Sequence, residues 1–159
     1  MNFGQLAEMA FVLTVPFVIR KTGLRATMII GLALLAVRYL AFYLGGVAAQ
    51  PSFYFVGILV HGVIYGYFFL GGQIYIDKKA PAGLRAQAQG FIFLVTFGVG
   101  LLIGNFISRQ IIEMNLQNGV YDWNTIWGIT TLSSLALAVA MIVFFRNETN
   151  MLAEKHKHG

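Results

Sequence analysis

Long apolar stretches, each close to the length that crosses a lipid bilayer, constrain this sequence more than any other feature. A spanning helix needs about 20 mostly apolar residues, and only 11% of the 159 residues are charged, against about 25% in soluble domains. The stretches are therefore too apolar and too many for a soluble protein. The sequence predicts an all-α membrane protein with five transmembrane helices, at about 2–19, 26–44, 53–76, 88–112 and 125–145.

The distribution of Lys and Arg predicts an orientation in the membrane. Nine of the 11 lie in the first and third connections or after the last apolar segment, and none lies in the other two connections. Basic loops favour the cytoplasmic side, so we expect the tail 147–159 in the cytoplasm and the N-terminus of the transmembrane domain 1–146 outside. The net charge of +5 is then a topology signal, and we expect lipid and not nucleic acid around the chain.

We do not expect the first segment to be a secretory signal, because no basic residue precedes it and it contains Glu8. The start of this segment is expected to lie outside the cytoplasm if an odd number of transmembrane helices precedes it in a longer protein. We therefore expect the chain to be part of a longer parent.

Two polar side chains interrupt the first apolar segment, MNFGQLAEMAFVLTVPFVIR. Glu8 lies eleven residues before Ile19, the last apolar residue, which is about 17 Å along a helix and near the middle of a core about 30 Å thick. Gln5 shares its helical face. Ionisable groups in a membrane usually face a cavity or the bundle interior, and a carboxylate in a low dielectric can exchange protons near neutral pH. The pattern favours proton coupling over a carboxylic acid that only hydrogen-bonds to a neighbouring helix.

A stripe of ring-bearing side chains runs along the third segment. His61, Tyr65 and Phe68 follow an i, i+4, i+7 spacing, so they share a face on which a flat ring can stack and hydrogen-bond. Packing of the same rings against neighbouring helices is an equal alternative, and His61 by itself is typical of a hydrogen-bonded structural histidine.

Small residues and one arginine in the apolar segments bear on packing. Two GxxxG pairs, Gly62 with Gly66 and Gly100 with Gly104, predict close helix contacts.

Arg38 lies in the outer half of the second segment. We expect it to extend towards the membrane surface or to pair with a carboxylate outside this chain.

Known catalytic and metal-site motifs do not occur in the sequence. HExxH, GxSxG and P-loop patterns are missing, and the chain has no Cys, which excludes thiolate metal sites and a Cys nucleophile. We therefore expect no enzymatic activity, no cofactor and no metal.

Several stretches taken together resemble the C-terminal half of the nucleoside:proton symporters, a branch of the major facilitator superfamily. They are GQLAEMAFVLTVPFVIRKTGLR, LLAVRYLAFY, VHGVIYGYFFLGGQIYIDKKAPAGLRAQAQGF and DWNTIW. The resemblance extends from about residue 3 to residue 146, and its register implies helices eight to twelve of a twelve-helix transporter. Helices one to seven are then missing partners, and their odd number agrees with an outside N-terminus.

The resemblance implies two six-helix halves that rock about a central site in a bacterial inner membrane. Nucleoside and protons are the implied solutes. Gln5 and Glu8 are expected to line the cavity, with Glu8 coupling the proton, and His61 and Tyr65 to add contacts from the tenth helix. One departure is that the family often carries an acidic residue where this chain has Gly66.

The connection RKTGLR resembles the cytoplasmic gating motif of the superfamily without its acid. Its residues are Arg20, Lys21, Gly23 and Arg25, and we expect the three cations to find acids in the missing half. Two other interpretations stay open. One is a carrier of the same fold for another small solute, such as a sugar or an organic anion. The other is a truncated membrane fragment that does not transport.

Overall fold

The described part of the chain is helical, apart from one short hairpin. The computed structural model describes residues 8–145, so the tail 147–159 lies outside it. Within this range, four helices are long and apolar enough to cross a membrane. In chain order the helices are α1 (Val15–Thr22), preceded by a helical turn at 8–12, and the four long ones, α2 (Leu24–Val47), α3 (Pro51–Lys79), α4 (Ala82–Met114) and α5 (Trp123–Phe144).

The first predicted segment is broken at residues 13–14, just before α1, whose first turn contains Pro16. Proline lacks a backbone N–H, and its ring crowds the carbonyl four residues earlier, so an α-helix does not continue undisturbed through it. At the break the Phe11 carbonyl accepts two hydrogen bonds from Thr14, from its hydroxyl at 2.6 Å and from its amide at 2.9 Å.

Helix α2 lies at the centre of the fold and contacts α1, α3 and α5. Its buried side chains include Met28, Leu32 and Ala36. At Gly31 the backbones of α2 and α3 approach so closely that a Cβ would lie 2.8 Å from the backbone nitrogen of Phe68. Glycine permits this close approach, which is how helices pack when lipid rather than water surrounds them.

Helices α3 and α4 each contain one π-helical segment, at Tyr65–Leu70 and at Leu94–Val99. A π segment has wider turns than an α-helix and rotates the residues that follow it. The two segments face each other through the rings of Phe69 and Phe97, whose centroids lie 5.7 Å apart. Their alignment gives α3 and α4 matching irregularities at one level of the bundle.

A hairpin joins α4 to α5. Leu116–Gln117 pairs antiparallel with Val120–Tyr121, and Asn118 and Gly119 between them both have positive φ. An Asn-Gly pair with two positive φ angles is the preferred two-residue turn, because its twist matches that of the strands. Asp122 then accepts a hydrogen bond from the Thr125 amide and begins α5.

Helix α4 is the least buried of the four long helices among the described residues. None of the residues in its most apolar stretch is buried, although its mean hydropathy is the highest of the four long helices. The contact predicted at Gly104 is not made within residues 8–145, since a Cβ there would meet no atom within 4 Å. The prediction for Gly66 is confirmed, because a Cβ there would lie 3.0 Å from the Val15 side chain.

Candidate functional site

Glu8 lies in the helical turn 8–12 and is half-buried. Its carboxylate acts electrostatically on His61 of α3. Gln5, predicted to share the Glu8 face, lies outside the described residues. The break before α1 sets where the turn with Glu8 sits, and Thr14 in that break lies 3.0 Å from the Tyr67 hydroxyl of α3. The turn is thereby connected to the helix that carries His61.

His61 pairs with a residue that the sequence did not assign to it. Nδ1 of His61 lies 2.9 Å from Nη1 of Arg38 on α2. Within the described residues Arg38 therefore bonds to His61, and its pairing with a carboxylate outside this chain stays a prediction. Spacing along the chain carries no signal for this pair, because the two residues meet only through the packing of α2 on α3.

The Arg38 guanidinium also lies over two aromatic rings. Its central carbon is 5.7 Å from the ring centroid of Tyr39 and 5.5 Å from that of Phe42. Cation–π contacts of this kind stabilise a charge that is partly withdrawn from solvent. The Arg38 Nε is buried and has no hydrogen-bond partner among the described residues, which is uncommon for a buried donor.

Of the three ring-bearing residues predicted to share one face of α3, Phe68 does not lie with the other two. His61 and Tyr65 are both exposed on α3, whereas Phe68 is half-buried and lies against Gly31 of α2. The π segment begins at Tyr65, and its wider turn moves Phe68 off the face that a regular helix would give it. His61 and Tyr65 therefore share an open surface with Glu8 nearby, and Phe68 belongs to the packing between helices.

The connection between α1 and α2 is a tight turn at Gly23. Gly23 has φ +82 with no atom within 4 Å of a Cβ position, so the backbone angle and not space requires glycine. Arg20 and Lys21 are exposed in the last turn of α1, where cations interact favourably with the helix dipole.

Arg25 makes contacts that differ from those expected. Its Nη2 donates to the Ile142 carbonyl at 2.9 Å, and its Nε donates to the Phe145 carbonyl. These carbonyls lie at the end of α5, where the last four acceptors of a helix lack intrahelical partners. Arg25 thus caps α5 from within this chain, and its pairing with an acid in the missing half stays a prediction.

A cavity of about 870 Å³ lies away from these residues, between α4 and α5. Its lining includes Tyr39, Ser108, Trp127 and Thr130, and its walls are mainly apolar. Neither Glu8, His61 nor Tyr65 lines it. Among residues 8–145, no group of three or more His, Asp or Glu side chains is placed to hold a metal ion. The candidate site residues Glu8, His61 and Tyr65 therefore lie apart from this cavity.

Comparison with known proteins shows the family of this chain. The model of the family described as "Nucleoside H+ symporter" matches residues 1–150. The putative nucleoside transporter YegT of Escherichia coli (strain K12) is 34% identical over 159 residues, covering 94% of this chain and 37% of that protein. The nucleoside permease NupG of the same organism is 31% identical over 147 residues, covering 92% of this chain and 35% of that protein.

The fold has a counterpart among solved structures. A crystal structure of a mutant of the nucleoside transporter NupG superposes with a TM-score of 0.86 at 30% identity, over 92% of this chain and 37% of that one. The chain thus spans little more than a third of the length of the relatives it matches.

Proposed function

This chain belongs to the nucleoside H+ symporter family, and we propose that it forms helices eight to twelve of a transporter that couples proton entry to nucleoside uptake. The observation that carries the proposal is the contact between His61 and Arg38 on an otherwise apolar fold, with Glu8 placed so that its charge acts on His61. Polar and ionisable groups inside a membrane are expensive and mark solute or proton pathways. In this chain the three groups, Glu8, Arg38 and His61, come from three separate helical segments, as expected for the wall of a cavity.

Each predicted site residue has a role in this proposal. Glu8 binds and releases the coupled proton, since a carboxylate can change charge within a membrane cavity. Gln5 and His61 hydrogen-bond the nucleoside, and Tyr65, which is exposed beside His61, stacks on its base. Alternating access then moves this half against the N-terminal half around the bound solute.

The orientation and the domain division are part of the same proposal. The bundle 1–146 spans the inner membrane with its N-terminal end outside, and the tail 147–159 lies in the cytoplasm, because the basic connections favour that side. Arg20, Lys21 and Gly23 then form a cytoplasmic gating connection with Arg25. Helices one to seven cover α4, whose apolar surface is open in this chain.

Transport by a complete transporter, in which this chain follows the N-terminal helices that its relatives carry, tests the proposal. The protein is reconstituted in liposomes, and uptake of labelled uridine is measured with and without an inward proton gradient. Exchange of labelled for unlabelled uridine is measured without a gradient. We expect Glu8→Gln to keep exchange and to lose uphill accumulation, since glutamine can hydrogen-bond but cannot carry a proton.

Glu113→Gln is the matched control, because Glu113 pairs with Arg109 at an exposed position of α4. It should accumulate uridine as the unchanged protein does. Normal gradient-driven accumulation by Glu8→Gln would contradict the assigned role. Competition by sugars or organic anions, with none by nucleosides, would favour a carrier of the same fold for another solute.

A non-transporting role for the 159-residue chain alone is the second candidate. The open apolar face of α4 favours it, because that surface needs a partner or lipid and one wall of the cavity is missing. Reconstitution of the chain without its N-terminal helices separates the two. Uptake above empty liposomes would exclude this second candidate.

A further inference from the structure

The contact between Arg38 and His61 restricts the protonation state of the imidazole. A guanidinium has five N–H donors and no acceptor, so the 2.9 Å contact from Nη1 requires Nδ1 of His61 to be the acceptor. An imidazolium carries a proton on both ring nitrogens and offers no acceptor. His61 in this arrangement is therefore neutral, with its proton on Nε2.

Arg38 is held in place by its surroundings. Its guanidinium lies over Tyr39 and Phe42, and both rings pack on Trp127 of α5, with centroid distances of 6.0 and 5.0 Å. The donor to His61 is thus held by rings of α2 that pack on α5. An arginine remains charged under all conditions that proteins experience, so the restriction on Nδ1 persists as long as the contact does.

We propose that Arg38 is a positioning residue that holds His61 as the neutral Nε2–H tautomer, so that His61 donates a hydrogen bond to the solute and leaves the coupled proton to Glu8. This inference rests on the proposed function of the site. Nucleosides present carbonyl, ring-nitrogen and ribose oxygen acceptors, any of which can receive the Nε2 proton. The charged groups that act on His61 are Arg38 from α2 and Glu8 from the first segment.

The tautomer is measured directly by nitrogen-15 NMR of the complete transporter labelled at histidine. The His61 signal is assigned by its loss in His61→Gln. We expect one protonated and one unprotonated ring nitrogen, with Nδ1 unprotonated and unchanged from mildly acidic to mildly basic solution. A protonated Nδ1, or an imidazolium that forms across this range, would overturn the proposal without any variant of Arg38.

Variants of Arg38 test its role in positioning. Arg38→Met keeps the length of the side chain and removes the donor, so we expect mixed tautomers and a KM for uridine raised about tenfold, the loss of one oriented hydrogen bond. The proton dependence of uptake should stay, because Glu8 is intact. Arg38→Lys restores a charged donor and should return the tautomer and most of the KM. Arg109→Met removes an arginine from an exposed position of α4 and should change neither.

The outcomes separate this inference from the proposed function. A complete transporter that carries no nucleoside contradicts the proposed function, while the NMR signal still decides the tautomer. A transporter that carries uridine, with the same KM and tautomer in Arg38→Met, contradicts the role of Arg38 alone.

Discussion

Nη2 of Arg25 donates a hydrogen bond to the Ile142 carbonyl at 2.9 Å. The two residues are 117 positions apart in the sequence, and their contact joins the start of α2 to the end of α5. The same guanidinium reaches the Phe145 carbonyl. One side chain from the proposed gating connection thus satisfies two acceptors that the end of a helix leaves free.

Replacement of Arg25 by Met should weaken this junction. We expect the free energy of unfolding to fall by about 1–3 kcal/mol, because two hydrogen bonds from a charged group are lost and the α5 carbonyls stay unpaired. Thermal unfolding of the detergent-solubilised protein measures the change. Lys21→Met is the control, since Lys21 is exposed at the end of α1, and equal losses in the two variants would contradict the role of Arg25.

Gly57→Ala should destabilise the contact between α2 and α3. A Cβ at Gly57 would overlap the ring of Phe42, and that ring cannot easily move because Tyr54 and Trp127 pack on it, with centroid distances of 6.2 and 5.0 Å. Overpacking of this kind costs about 1–3 kcal/mol. The midpoint of thermal unfolding should fall accordingly.

Gly128→Ala is the matched control for that substitution. A Cβ at Gly128 would lie 3.6 Å from the Tyr43 ring, which is an ordinary contact distance. Its stability should be unchanged or raised by up to about 1 kcal/mol, because alanine favours a helix over glycine. A larger loss of stability in Gly128→Ala than in Gly57→Ala would contradict the explanation that overlap with the Phe42 ring causes the loss.

The cap of α5 should make stability depend on pH. Hydrogen bonds from the Thr125 hydroxyl, at 2.6 Å, and from its amide, at 3.1 Å, lower the pKa of Asp122. The folded state therefore binds this proton less readily than the unfolded state. The stabilisation is present above the ordinary pKa of an aspartate and is lost as the pH falls through the lowered value.

Two variants check the cap. Asp122→Ala removes the acceptor and should unfold at a lower temperature than the unchanged protein at neutral pH, with the difference shrinking in acid. Asp122→Asn keeps an acceptor that caps helices well but does not titrate, so its unfolding temperature should lack this acid-dependent component. The prediction fails if Asp122→Ala differs from the unchanged protein by the same amount at both pH values.

Tyr67→Phe should loosen the first segment from α3. The substitution removes the hydroxyl that lies 3.0 Å from the Thr14 hydroxyl, and the loss of one such hydrogen bond costs about 1 kcal/mol. Hydrogen exchange of the amides between residues 8 and 22 should become faster. Tyr43→Phe is the control, because Tyr43 has no hydrogen-bond partner for its hydroxyl among the described residues, and equal acceleration there would contradict the role of Tyr67.

Much of the site could be anticipated from single residues, and its connections could not. Glu8 and His61 were noticeable because a titratable group is rare in an apolar helix. Their proximity, and the place of Arg38 between two rings, depend on which helices are neighbours. The stripe of His61, Tyr65 and Phe68 was predicted for a regular helix, and the π segment at Tyr65–Leu70 ends it, since local propensity does not indicate such a segment.

The sequence by itself determined the all-α membrane class and the family, because apolar length and residue motifs are properties that a chain carries before it folds. The turns at Gly23 and at Asn118–Gly119 are also local, since only a few residue types accept a positive φ. Tertiary structure alone decided that Arg38 bonds to His61 and that Arg25 caps α5. Those contacts join residues far apart along the chain, so their geometry exists only once α2 has packed against α3 and α5.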